Sequence, residues 1–437
     1  MSVLAGHAHL AGTLLPKGFF LALGLVFLAA LAADRGAARL RLPVGAALLL
    51  VGLGLQGPLL AVMHVSARHA ETVDRVSLAL LIFYAGLGTD LRRIRGMVGD
   101  GLRLGGLALL IQVAAAAALL QGLAGAVPLA AIWLTAVCLT AQDTGSLEDQ
   151  LEVLKHRLDA RLAHLQQFAT ALSIVGSLLV FGFLVGVLQV RGHSSHLELH
   201  AAGASPMPDQ LLSVGRHLLA GVLAGSLVGA LASRLVDGLV RSERQLLLVV
   251  IALAFVAFGL GQAVGGGGLL AVFCAGVWLS NGRFRLRRFD QHALHHVMHP
   301  FNTAAEYCLL LLLGLSVQPA ALLQVLPLGL LLALLLPLVR WIGVRLALPD
   351  ARFSATDRWR LACCSLPGAV SLGLALSLEG ELGQLPGVAP EQAENLGASL
   401  LALIFVVVLA NLLLQRLLAL RWQPRAAAQP DEQASRS

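Results

Sequence analysis

Apolar residues in this chain come in unbroken runs of Leu, Ala, Val and Gly, separated by short breaks that carry most of the arginines. The runs do not alternate with polar positions, which removes a membrane β-barrel. At about 20 residues each they match the length at which a helix crosses hydrocarbon with every backbone group satisfied inside the segment. Hydropathy and punctuation divide the chain into about thirteen spans: 18–33, 43–62, 76–89, 104–125, 128–146, 165–190, 212–233, 245–263, 265–280, 297–317, 321–347, 361–378 and 396–420. The fold expected is all-α and polytopic. A transmembrane domain is expected over residues 1–420, and 421–437 reads as a short, disordered cytoplasmic tail.

Arginine and lysine placement orients the spans. The breaks after odd-numbered spans are basic, as in Arg92, Arg93, Arg95 and Arg103 or Arg283, Arg285, Arg287 and Arg288. Those after even-numbered spans are poor in basic residues, and the stretch from Glu379 to Glu394 has acids alone. By the positive-inside rule the expected topology is N-terminus out and C-terminus in. The run Phe19–Ala33 ends in small residues as a signal peptide does, but Arg35, Arg39 and Arg41 follow at once, so a retained first helix is expected.

Two segments are too polar or too interrupted for plain spans: LTAQDTGS, Leu139–Ser146, and CCSLPG, Cys363–Gly368. They occupy comparable places in the two halves, the pattern of inverted repeats whose two crossing discontinuous helices build a site at the membrane midplane. Asp143 is the only carboxylate deep in the fifth or sixth span, where an ionisable group is costly enough that function is the default reading. In an unwound segment its carboxylate can take a monovalent cation or a proton but not both, which would couple the two fluxes. The plainer alternative is that Asp143 caps the next half-helix. Thr140, Gln142, Gln166, Gln167 and Ser173 offer neutral oxygens to a dehydrated cation, against the commoner role of bridging helices.

Composition agrees with a lipid-facing protein: 57% of the 437 residues are hydrophobic and 13% charged, with mean hydropathy +0.81. The net charge of +7 is spread over the breaks rather than gathered on one stripe, so nucleic acid is not an expected partner. Five cysteines lie inside apolar runs without a ligand-like spacing, so no disulfide framework, metal or cofactor is expected. No set of nucleophile, base and orienting group is visible, and an enzyme is not expected. His292, His295, His296 and His299 share a helix face that reads as solvated and interfacial, with metal binding or pH sensing as the alternative. Gly265–Gly268 lacks the lysine of a phosphate loop and reads as a turn or a packing contact.

Several segments resemble the sodium/hydrogen exchanger fold of the monovalent cation:proton antiporters, in particular its bacterial NhaP-like branch. LLIFYAGLGTDL (Leu80–Leu91) is similar to that family's third-helix signature and GGGGLLAVFCAGVWLSN (Gly265–Asn281) to its ninth span. NTAAEYCLLLLLGLSV (Asn302–Val317) resembles the tenth, and PGAVSLGLALSL (Pro367–Leu378) the crossing helix. The resemblance implies a homodimer in the lipid bilayer of a cell membrane, a bacterial inner membrane, exchanging a monovalent cation, sodium more than potassium, for a proton by alternating access around Asp143. Gln142-Asp143-Thr144 falls on the family's Thr-Asp-Pro and keeps its aspartate, while the acidic pair expected about thirty residues on falls on Gln167-Phe168 or Ser173-Ile174. Pro367 stands where the crossing helix carries arginine. Glu306 and Arg340 match an acid and an arginine of the tenth and eleventh spans, and a structural ion pair between neighbouring helices is expected. Two alternatives stay open: a transport-inactive, regulatory homologue, and a proton-linked transporter of another ion, an anion included.

Overall fold

Hydrocarbon offers the backbone no partner but itself, and the chain responds with helices throughout. The computed structural model describes residues 19–40, 42–63, 67–92, 96–123, 127–142, 159–193, 207–265, 267–282, 291–349, 352–364, 367–383 and 390–422, and structural statements concern these residues. They form fourteen helices: α1 (Phe19–Leu40), α2 (Val44–Met63), α3 (Ala67–Leu87), α4 (Val98–Leu123), α5 (Leu129–Thr140), α6 (Ala160–His193), α7 (Met207–Leu239), α8 (Glu243–Ala263), α9 (Gly268–Asn281), α10 (Gln291–Ser316), α11 (Pro319–Ala347), α12 (Ala355–Cys363), α13 (Ala369–Leu382) and α14 (Pro390–Trp422). Every expected span overlaps a helix, and the twelfth overlaps two, α12 and α13. Six of the helices are long and apolar enough to cross a membrane by length and composition. The outer faces are apolar: on α11, Leu323, Leu330, Leu334, Leu338 and Leu346 are all exposed, as side chains facing lipid should be.

The two interrupted segments break for different local reasons. α12 starts on a capping box, in which the Ser354 hydroxyl accepts from the Asp357 amide and the Asp357 carboxylate accepts from the Ser354 amide. It ends at Cys363, and Pro367 and Gly368 precede α13; a proline without an N–H cannot carry an α-helical ladder through that point. α5 stops at Thr140, short of the expected boundary at 146, because Ala141 turns extended (φ −62°, ψ 129°). Residues 143–158 lie outside the described residues, Asp143 among them.

Packing divides into three buried clusters. The largest joins α1 to α6 with α10, α11, α13 and α14, the second joins α3, α7, α8, α9 and α10, and a third lies between α4, α6, α11 and α12. The two sequence signatures of the third and ninth spans pack on each other. A Cβ on Gly276 would lie 2.6 Å from the Phe83 carbonyl oxygen and 3.2 Å from Gly86 Cα, so the helices touch backbone to backbone. At their ends Asn281 Nδ2 donates to the Thr89 carbonyl at 2.8 Å and its Oδ1 accepts from the Leu91 amide at 2.9 Å.

Candidate functional site

α5 and α13 meet where each is interrupted. The last carbonyls of α5 and the first amides of α13 are unpaired within their helices, giving a partial negative end beside a partial positive one. Ser371, in the first turn of α13, donates its hydroxyl to the Ala141 carbonyl at 2.8 Å and so fixes the extended segment after α5. Thr140 turns back into its own helix, its hydroxyl donating to the Ala136 carbonyl at 2.9 Å. Gln142 points toward α6, where Thr170 Oγ1 donates to Gln142 Oε1 at 3.2 Å and Gln166 Nε2 donates to Thr170 Oγ1 at 3.3 Å.

Gln166, Thr170, Ser173 and Ser177 are all fully buried and recur at four-, three- and four-residue steps, a polar stripe on the face of α6 that meets α5. Two oxygens on it, Gln166 Oε1 and Ser173 Oγ, have no hydrogen-bond partner among the described residues, nor does Thr135 Oγ1 on the facing α5. Buried oxygens left this way are uncommon and costly, about 1–3 kcal/mol each, which marks the α5–α6 contact as a place where a ligand can be accommodated.

Below the interruption lies a small cavity of about 10 Å³, lined by Gln112, Leu139, Thr140, Gln142, Leu336, Val339, Arg340 and Pro367. That is room for about one water molecule. Arg340 is 3% exposed; its Nε donates to the Ala362 carbonyl at 3.0 Å, where α12 is about to end, and its Nη1 has no partner among the described residues. Gln112 Nε2 is likewise buried without a partner.

Among the described residues no ion pair joins Glu306 to Arg340. The two residues flank the turn at 317–318, but Glu306 lies ten residues before Ser316 and Arg340 twenty-one residues after Pro319. At about 1.5 Å of rise per residue these positions are about 15 Å and about 32 Å from that turn, different depths in helices running opposite ways. α10 packs on α2 and α3, whereas α11 packs on α14 and α4. Gln167 is half-buried on α6, its Oε1 3.3 Å from His164 Nδ1, and its neighbour Gln166 faces Gln142 instead. Ser173 and Thr140 lie at the α5–α6 contact and at the cavity. Of the histidines, His299 Nδ1 is 3.1 Å from the Tyr84 hydroxyl and His296 is exposed; the side chains of His292 and His295 lie outside the described residues.

Thr170, Ser371 and Gln112 belong to the site without having been expected there. Gln112 had a visible signal, an amide inside the run LLIQVAAAAALL.

The family described as the transmembrane part of the sodium/hydrogen exchangers matches residues 23–420. The K(+)/H(+) antiporter NhaP2 of Shewanella baltica is 31% identical over 189 residues, covering 42% of this chain and 28% of that protein. Its counterpart in Shewanella oneidensis is 29% identical over 211 residues, covering 47% and 33%. The match thus spans a third or less of the length of these curated relatives. Among solved structures, the sodium proton antiporter MjNhaP1 from Methanocaldococcus jannaschii at pH 8 aligns with TM-score 0.77 over 93% of this chain and 99% of that one, at 18% identity.

Proposed function

Because the chain belongs to the sodium/hydrogen exchanger transmembrane family, we propose that it is a secondary transporter exchanging a monovalent cation, Na+ or K+, for a proton in a cell membrane. The observation that carries this reading is that buried oxygens on two facing helices, Gln166 Oε1, Ser173 Oγ and Thr135 Oγ1, have no partner among the described residues, where those helices meet beside the unwound Ala141–Gln142 segment. Alkali cations are hard and take oxygen ligands, and a half-helix C-terminus adds its carbonyls to the set. Asp143, the next residue in sequence, supplies the charge: its carboxylate holds the cation in one half of the cycle and the proton in the other. Alternating access of this region against the rest of the bundle, in a homodimer with the N-terminus outside, completes the proposal.

Neither curated relatives nor the fold selects the ion, since the NhaP2 proteins are named for K+ and MjNhaP1 for sodium. Reconstitution into proteoliposomes with an internal pH dye tests both. A Na+ or K+ gradient should drive an internal pH change that Asp143→Asn abolishes while the variant still inserts and elutes as the wild type does. Undiminished exchange in Asp143→Asn would remove the mechanism, and no cation-driven pH change in the wild type would favour a regulatory role for the chain.

A further inference from the structure

The last turns of α11 set an exposed arginine beside exposed apolar side chains. Leu338, Ile342 and Leu346 recur at four-residue steps and are all exposed, one lipid-facing stripe. Trp341 and Arg345 make a second four-residue step beside it, and the exposed Arg345 places its guanidinium carbon over the Trp341 ring, 5.4 Å from the centroid. Trp341 in turn meets Trp359 of α12 edge to face, with centroids 6.5 Å apart and ring planes at 68°, and Trp359 is exposed. Two helices thus hold one guanidinium at the end of an apolar stripe.

Contact with a ring face leaves most of the five guanidinium N–H donors unused, and their fork matches the oxygens of a phosphate. The charge of the segment suits an anion: residues 345–360 include four arginines and two aspartates, and with Asp100 drawing on Arg352 the edge is still positive. A free phosphate would meet Arg345 but leave the Leu338–Ile342–Leu346 stripe unused. A phospholipid engages both, and an anionic headgroup does so without bringing the ammonium of a zwitterionic one against the same arginines. The plainer alternative is an aromatic belt, in which Trp and Arg rest at the interface beside any lipid. Belt residues act singly, whereas here rings from two helices fix the cation, and a fixed cation can select a headgroup.

We infer that Arg345, Trp341 and Trp359 form a site for one anionic phospholipid of the phosphatidylglycerol class, its phosphate on Arg345 and an acyl chain along the α11 stripe. With the N-terminus outside, as proposed above, this is the cytoplasmic leaflet, where anionic lipid attracts basic segments. The neighbouring Arg340 donates to the Ala362 carbonyl, so a lipid seated here braces the α11–α12 pair that leads into the break before α13. The inference stands apart from cation exchange, because its test reads binding and not transport.

The full chain is reconstituted in phosphatidylcholine vesicles containing a minor fraction of phosphatidylglycerol, with bromine on the acyl chains of one lipid or the other. The tryptophan emission that Trp359→Phe removes should be quenched more by brominated phosphatidylglycerol than by brominated phosphatidylcholine at equal mole fraction. Arg345→Gln should bring the two to equality. In detergent, phosphatidylglycerol should raise the melting temperature saturably, and Arg345→Gln, an exposed position that folding tolerates, should weaken its apparent affinity at least about fivefold. Arg234→Gln, at an exposed arginine of α7, should leave that affinity unchanged. Equal quenching by the two brominated lipids in the wild type would reduce the patch to an aromatic belt and overturn the inference. Equal losses in Arg234→Gln and Arg345→Gln would overturn it too, by showing attraction to surface charge alone. Displacement of the lipid by soluble glycerol 3-phosphate would make the ligand a free phosphate instead.

Discussion

The hydroxyl of Ser371 donates to the carbonyl of Ala141 over 2.8 Å, joining the start of α13 to the unwound end of α5 across 230 residues of sequence. It links the two interruptions directly, and both partners are fully buried. Ser371→Ala removes the donor and leaves a buried carbonyl unpaired. Interhelical hydrogen bonds in membrane proteins contribute about 0.6–2 kcal/mol. Unfolding in mixed micelles should show a loss in that range, and Ser371→Thr, which keeps the hydroxyl, should recover part of it.

The contact between α3 and α9 gives a second expectation. Gly276→Ala puts a methyl 2.6 Å from the Phe83 carbonyl oxygen, and backbone cannot move aside as a flexible side chain can. Overpacking of this kind costs about 1–3 kcal/mol. Gly259→Ala on α8 is the control, because nothing lies within 4 Å of the added methyl. The first variant should melt earlier than the wild type and the second should melt at the same temperature or later, the helical preference of alanine over glycine acting alone.

Two of the four segments that carry the family resemblance are thus explained by packing. Tyr84-Ala85-Gly86 and Cys274-Ala275-Gly276 bring two backbones together, and Asn281 ties the helix ends. This much is legible in the sequence because lipid imposes one-dimensional rules: span length, small residues at close contacts, proline and glycine at breaks. The site was only partly legible. Gln142, Thr140 and Ser173 stand out in the sequence as polar groups in apolar runs, but which of Gln166 and Gln167 turns toward Gln142 depends on the rotation of α6, which a lone polar pair does not fix. The Glu306–Arg340 pair was expected because either charge alone is costly in lipid, an argument that takes no account of depth along the two helices. The helical rise, applied to their distances from the connecting turn, already separates their depths by about 17 Å.

A further ion pair lay outside what the spans revealed. Arg352 Nη1 meets Asp100 Oδ2 at 3.2 Å, with the arginine side chain 64% exposed and the carboxylate 4%. The asymmetry sets the direction of the mutational effects. Asp100→Asn leaves an arginine that water can solvate, whereas Arg352→Ala strands a buried carboxylate. Arg352→Ala should lower the melting temperature more than Asp100→Asn does, and adding Asp100→Asn to Arg352→Ala should restore part of the loss. Equal effects of the two single variants would show that the carboxylate does not rely on this partner.

The last expectation concerns how Gln142 is held. Thr170 accepts from Gln166 and donates to Gln142, so one hydroxyl sets the rotation of both amides. Thr170→Val keeps the volume and removes the hydroxyl, while Thr170→Ser keeps the hydroxyl and removes a methyl. If Gln142 presents an oxygen to the transported cation, loss of its orientation should weaken cation binding in the ground state and the transition state alike. The apparent KM for the cation should then rise several-fold with little change in the maximal rate. Thr170→Ser should return KM toward the wild-type value although it packs less well. A purely structural hydroxyl predicts the reverse ordering: both variants would lose stability and yield, KM would stay constant, and the serine would give no specific rescue. Proteoliposome flux over a range of Na+ and K+ concentrations, normalised to reconstituted protein, separates the two patterns.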